Sequence, residues 1–175
     1  MDFVHLKRGK PVCVRKGSVD PENITEEYEC ADLRVSIGSD HGGFAYKQQI
    51  IAHLKENGYL VLDLGCPDTK SVDYPEFGMA VGRDVSYGKA YFGVVVCTSG
   101  IGISIAANKV PGIRCGLAYD DVVTSKMREH NNANVIAFGQ KYMKLDDVLR
   151  RLDIFLCTSF SKEAKHRRRV AQISD

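Results

Sequence analysis

A chain of 175 residues with 24 basic and 22 acidic side chains, net charge +2 and 44% hydrophobic residues has room for one α/β domain with a continuous core. Near-neutrality offers no bulk attraction for nucleic acid, no apolar run is long enough to cross a bilayer, and the first residues lack a signal peptide's apolar centre. The cysteines at 13, 30, 66, 97, 115 and 157 follow neither CxxC nor zinc-finger spacing; Cys97, Cys115 and Cys157 adjoin apolar segments, which points to free thiols in a reducing cytoplasm.

Residues 1–32 carry no clear period. A basic stretch (Lys7, Arg8, Lys10, Arg15, Lys16) precedes an acidic one (Asp20, Glu22, Glu26, Glu27, Glu29, Asp32). The expectation is an N-terminal extension, partly mobile or laid on the surface, ahead of a domain over 33–175. Arg34–Ser39 reads as a short apolar strand that runs into Asp40-His41-Gly42-Gly43. Phe44–Asn57 has helical spacing (Ile50, Ile51, Leu54) and is closed by Gly58. Leu60–Leu64 is a second strand, and Pro75 suits the first turn of the next helix. Tyr91–Cys97 is the most continuously apolar strand and so is placed centrally. Further strands are expected at Arg114–Ala118 and Asn134–Phe138, with a helix over Asp121–Glu129 between them. An amphipathic helix over Leu145–Leu156 and a basic one over Lys162–Ile173 complete the chain. This alternation predicts a doubly wound parallel sheet of about five strands with helices on both faces. Ligands in such folds bind beyond the carboxyl ends of the strands, so Asp40-His41 and the segment after Cys97 are expected on one edge.

Cys97 is followed by Thr98-Ser99-Gly100-Ile101-Gly102 and a helical stretch. A thiol at a strand end, beside free backbone N–H groups and a helix start, is set to ionise and to face an anion. Three readings compete for this loop. A dinucleotide fingerprint would want a small residue at Ile105, with Asp120 at a tolerable distance for a ribose contact. A cysteine phosphatase would need an arginine where Ile103 stands. The third reading is a thiolate base with backbone donors that stabilise an enediolate oxygen. Elsewhere, Asp40 could simply cap the following helix or, with His41, line a polar pocket. Asp73 and Tyr74 could form a turn or touch a ligand. His130 could favour the negative end of its helix, or act with Asn131 on a hydroxyl-rich ligand. Lys165 and Arg169 lie four apart on one helical face and suit a phosphate; no aromatic residue interleaves the basic run as a nucleic-acid patch would want.

Taken together, Gly38–Gly43, Asp73-Tyr74-Pro75, Cys97–Lys109, Arg128–Phe138 and the terminal His166-Arg167-Arg168-Arg169 resemble the type B ribose-5-phosphate isomerases, a family that includes allose- and galactose-6-phosphate isomerases. The resemblance covers Leu33 to Asp175 in order. It implies a Rossmann-like domain, a homodimer or dimer of dimers with sites across the interface, and aldose–ketose isomerisation of a sugar phosphate with neither metal nor organic cofactor. Cys97 matches the family's proton acceptor, which shuttles a proton between C2 and C1 through a cis-enediol(ate). The Thr98, Ser99, Gly100, Ile101 and Gly102 backbone matches its anion hole, and His130 the residue that opens the furanose. Asp40, His41, Tyr74 and Asn131 are then substrate contacts, with Lys141, Lys165 and Arg169 at the phosphate. Lys141 and Lys165 replace the usual arginines, and Thr98 stands where glycine is common, which would strain a positive φ. A hexose phosphate substrate, or a non-catalytic phosphosugar-binding subunit, is the alternative.

Overall fold

The computed structural model describes residues 34–174 in full and three earlier strands by their backbone: β1 (Phe3–Lys7), β2 (Lys10–Lys16) and β3 (Glu27–Tyr28). These three form a small antiparallel sheet in the order β1-β2-β3, with Phe3 opposite Val14 and Arg15 opposite Tyr28. Strand structure was not expected there; valines 4, 12 and 14 favour it locally. The rest of the extension, on which the expected mobility bears, lies outside the described residues.

The main sheet holds β4 (Arg34–Ser39), β5 (Leu60–Asp63), β6 (Phe92–Cys97), β7 (Cys115–Leu117) and β8 (Val135–Gly139). Its order is β5-β4-β6-β8-β7 and every pairing is parallel. The helices are α1 (Phe44–Glu56), α2 (Tyr74–Ser86), α3 (Ile101–Ala107), α4 (Asp121–Glu129), α5 (Leu145–Cys157) and α6 (Ala164–Ala171). The α/β fold with a five-stranded parallel sheet is as the alternation predicts, with element ends shifted by a residue or two.

Strand geometry divides the core in two, because successive side chains leave opposite faces. Val94 and Val96 of β6 pack with Ile50 and Leu54 of α1 and with Leu152 and Phe155 of α5. Val95 and Cys97 face the other way, among Val81 and Val85 of α2 and Ile103 and Ala107 of α3. With helices on both faces, all of β6 is buried. Pro75 sits in the first turn of α2, and Asp120 caps α4 by accepting from Val122 N at 2.8 Å and Val123 N at 3.1 Å. One thiol expectation fails: Cys157 is disulfide-bonded, which removes it from the support for a reducing compartment, whereas Cys66, Cys97 and Cys115 are free. Burial pushes the Cys115 thiol well above its ordinary range, so it behaves as an inert hydrophobe.

Candidate active site

In the order β5-β4-β6-β8-β7 the winding reverses between β4 and β6. That reversal opens a crevice at the carboxyl ends of the two strands, the usual ligand position in open α/β sheets. Asp40 follows β4 and Cys97 ends β6, so both stand at the crevice.

Cys97 is 4% exposed, and its Sγ accepts a hydrogen bond from Gly100 N at 3.0 Å. Gly100 turns the chain at φ +81° into α3, and a Cβ there would lie 2.9 Å from the Phe138 carbonyl carbon. Only glycine tolerates both conditions. The loop is anchored from below by β8: Gln140 N donates to Cys97 O at 3.0 Å and Lys141 N to Thr98 O at 3.1 Å. Among the described residues, Thr98 N, Ser99 N and Gly102 N donate to no protein acceptor. A sulfur and several amide donors therefore share one small volume, as a base and an oxyanion site require. Thr98 is not in the positive-φ region, so the expected strain is absent; its Oγ1 fills the space beside Gly42 where a Cβ would go.

Three other residues close round this loop. The Tyr74 ring lies over Gly102, where a Cβ would come within 2.7 Å of Tyr74 Cζ. His41 is exposed, and its Nδ1 accepts from Val72 N at 3.2 Å, which orients the ring on the crevice edge. Asp40 does cap: its Oδ1 accepts from Gly43 N at 3.0 Å in the 3-10 turn that leads into α1. It is also 6% exposed, and burial raises its carboxyl above the usual value of 3.8 against the opposing pull of His41. Asp73 makes no side-chain cap at the start of α2.

The remaining expected residues lie elsewhere. His130 follows the end of α4, and the chain must still run the length of β8 before it reaches Gly139 beside Cys97. Because the sheet is parallel, His130 and Asn131 stand at the amino edge and Cys97 at the carboxyl edge. They are separated by at least about 13 Å along the strand. The His166 ring of α6 lies flat on the His130 ring, with centroids 4.2 Å apart and planes at 7°. Lys165 and Arg169, both exposed, flank His166 on the same amino-edge side. Lys141 belongs to the Cys97 group. One chain thus brings Asp40, His41, Tyr74, Cys97–Gly102 and Lys141 together, and holds His130, Asn131, Lys165 and Arg169 apart from them.

The sequence profile of the Ribose/Galactose Isomerase family matches residues 35–173. The chain belongs to that family. It is 42% identical over 139 residues to ribose-5-phosphate isomerase B of Mycolicibacterium paratuberculosis, which covers 79% of this chain and 87% of that one. The solved ribose-5-phosphate isomerase B of Clostridium thermocellum superposes with a TM-score of 0.80 at 43% identity, over 81% of this chain and 95% of that one. The Trypanosoma brucei type B ribose 5-phosphate isomerase does so at 0.79 and 38%, over 81% and 97%. As a ribose/galactose isomerase the chain is an enzyme, and the resemblance read from its motifs stands.

Two buried residues beside these segments were not named as site residues from the sequence. His166 was read inside a basic run, yet it is 5% exposed and is the one buried residue of α6. The signal was its spacing: His166 and Val170 lie four apart in a helix whose other residues are charged or alanine. Lys47, 1% exposed, donates from Nζ to Asp63 Oδ1 at 2.7 Å and to Cys66 O at 2.8 Å, and so ties down the loop beside Asp40. A lysine on an apolar helical face carries no sequence signal of such a partner.

Proposed function

We propose that this isomerase interconverts ribose 5-phosphate and ribulose 5-phosphate, with Cys97 as base and His130 from a second copy of the chain as the group that opens the furanose. His130 passes a proton from the C1 hydroxyl to the ring oxygen, which frees the aldehyde. The Cys97 thiolate takes the C2 proton, and the electron pair moves to the C1 oxygen to give a cis-enediolate. The amide groups of Thr98, Ser99 and Gly102 hold that charge. The thiol then returns its proton to C1 while the O2 proton passes to O1, leaving the ketose carbonyl at C2. Asp40, His41 and Tyr74 of one copy and Asn131 of the other bind the sugar hydroxyls. Lys141 of the first copy and Lys165 and Arg169 of the second bind the phosphate; the lysines keep the charge without bidentate geometry. No step needs a metal or an organic cofactor.

The reading is carried by the Cys97 sulfur at the switch point, one amide on it and others free beside it, in a chain of this family. The split of the expected residues between two edges supports a homodimer, for which exposed Ile101, Ile105, Tyr119, Val122 and Tyr142 offer an apolar rim. A charged sugar phosphate stays where it is made, which favours the cytoplasm and pentose phosphate metabolism. We place the domain boundary at 32/33. Cys97→Ala should lower turnover of ribose 5-phosphate by on the order of a hundredfold or more while binding persists. Undiminished activity in that variant removes the mechanism. A higher turnover of allose or galactose 6-phosphate in parallel assays replaces the pentose substrate.

A further inference from the structure

α6 is fastened to the body through a histidine. His166 is its one buried residue, Val170 is half-buried, and the rest of its surface is exposed. An apolar side chain would dock a helix there without penalty. The imidazole instead leaves Nε2 buried with no hydrogen-bond partner among the described residues, which costs free energy. What it gains is a flat contact with His130, 4.2 Å between centroids and 7° between planes. Such a buried, unpaired polar group at a functional edge calls for a reason beyond packing.

We infer that His166 is a positioning residue for His130: its buried ring fixes the plane of the half-buried one and leaves His130 as the member of the pair that exchanges a proton with the sugar. The inference rests on the ring-opening role proposed above. Burial, His130 and Lys165 hold His166 below its usual value against the pull of Glu163, and Arg169 adds to the lowering. Glu129 at the end of α4 and Glu163 ahead of α6 are held below the usual carboxylate range chiefly by their hydrogen bonds with Lys126 and Lys165 respectively. The loop between α5 and α6 is tied to α4 where Ser161 N donates to Glu129 O at 3.0 Å. A flat ring face beneath His130 holds its orientation. Because the stack forms within one chain, the two rings reach the second copy's crevice as a unit.

The test compares the full-length protein with His166→Ala and His166→Phe in two assays. Turnover of ribose 5-phosphate includes ring opening; exchange of the C1 hydrogen of ribulose 5-phosphate with deuterated water reads the enediol step alone, since that ketose is open-chain. His166→Ala should lose roughly tenfold or more in kcat on ribose 5-phosphate, with KM and C1 exchange within about twofold of wild type. His166→Phe keeps a flat ring there, so it should restore turnover and the upfield ring-current shift of the His130 ring protons. Equal losses in both assays would make His166 a mere anchor of α6, and wild-type values in both would make it dispensable; either overturns the inference. A misfolded His166→Ala leaves the decision to His166→Phe, which must then keep turnover, exchange and the ring-current shift. A wild-type chain inactive in both assays sinks the isomerase reading first, and this inference with it.

Discussion

Mixing two dead variants should restore activity. On the proposed mechanism Cys97→Ala lacks the base and His130→Ala the ring-opening group; on one chain these residues stand at opposite edges of the sheet, the length of β8 apart. In the isologous dimer proposed above, each site takes Cys97 from one copy and His130 from the other. A mixed dimer therefore holds one site with both lesions and one with neither. Random exchange of equal amounts makes about half the dimers mixed, each with one intact site of two, so activity should recover to about a quarter of wild type. The assay is ribose 5-phosphate turnover after the variants are mixed, partly unfolded in urea and refolded together, with tagged copies to measure the mixed fraction. Recovery should follow that fraction linearly. If confirmed mixed dimers stay as inactive as the separate variants, the site does not cross copies and the two-edge argument is wrong.

Two further outcomes bear on the scaffold. Lys47→Met keeps the length of the side chain but strips the donor from Cys66 O, a cost of about 1–3 kcal/mol for a buried carbonyl left unpaired. Asp63 is 42% exposed and rehydrates, so urea denaturation should show net destabilisation; an unchanged midpoint would mean that the freed lysine desolvation offsets the lost bonds. Asp40 tests pH linkage, since its folded carboxyl holds its proton to higher pH than the unfolded one at 3.8. The folded state thus binds more protons, and this group's contribution to stability falls as pH rises from 3.8 through its raised value. Asn still caps the turn, so Asp40→Asn should gain on wild type across that range and hold the gain above it. Denaturation midpoints that converge as pH rises would reverse the sign.

Most of the sheet was legible in the sequence because its strands are buried on both faces. Continuous apolar runs such as Tyr91–Cys97 need no partner to be recognised, and the Gly and Asp punctuation between elements is local. Both segments at the crevice, Asp40-His41 and Cys97–Gly102, follow from the same rule, since loops after parallel strands share an edge. The N-terminal sheet escaped because pairing of β1, β2 and β3 depends on contacts between segments whose charge runs mask any period.

The linear chain by itself settled the alternation of elements, the carboxyl-edge cluster around Cys97 and the motifs of the family, all of which depend on near neighbours in sequence. Tertiary structure alone decided that His130 lies across the sheet from Cys97 and that His166 is stacked beneath it. Those facts depend on strand order and on which helix face turns inward. Neither is encoded at any one position; both are set when the two cores close on the sheet.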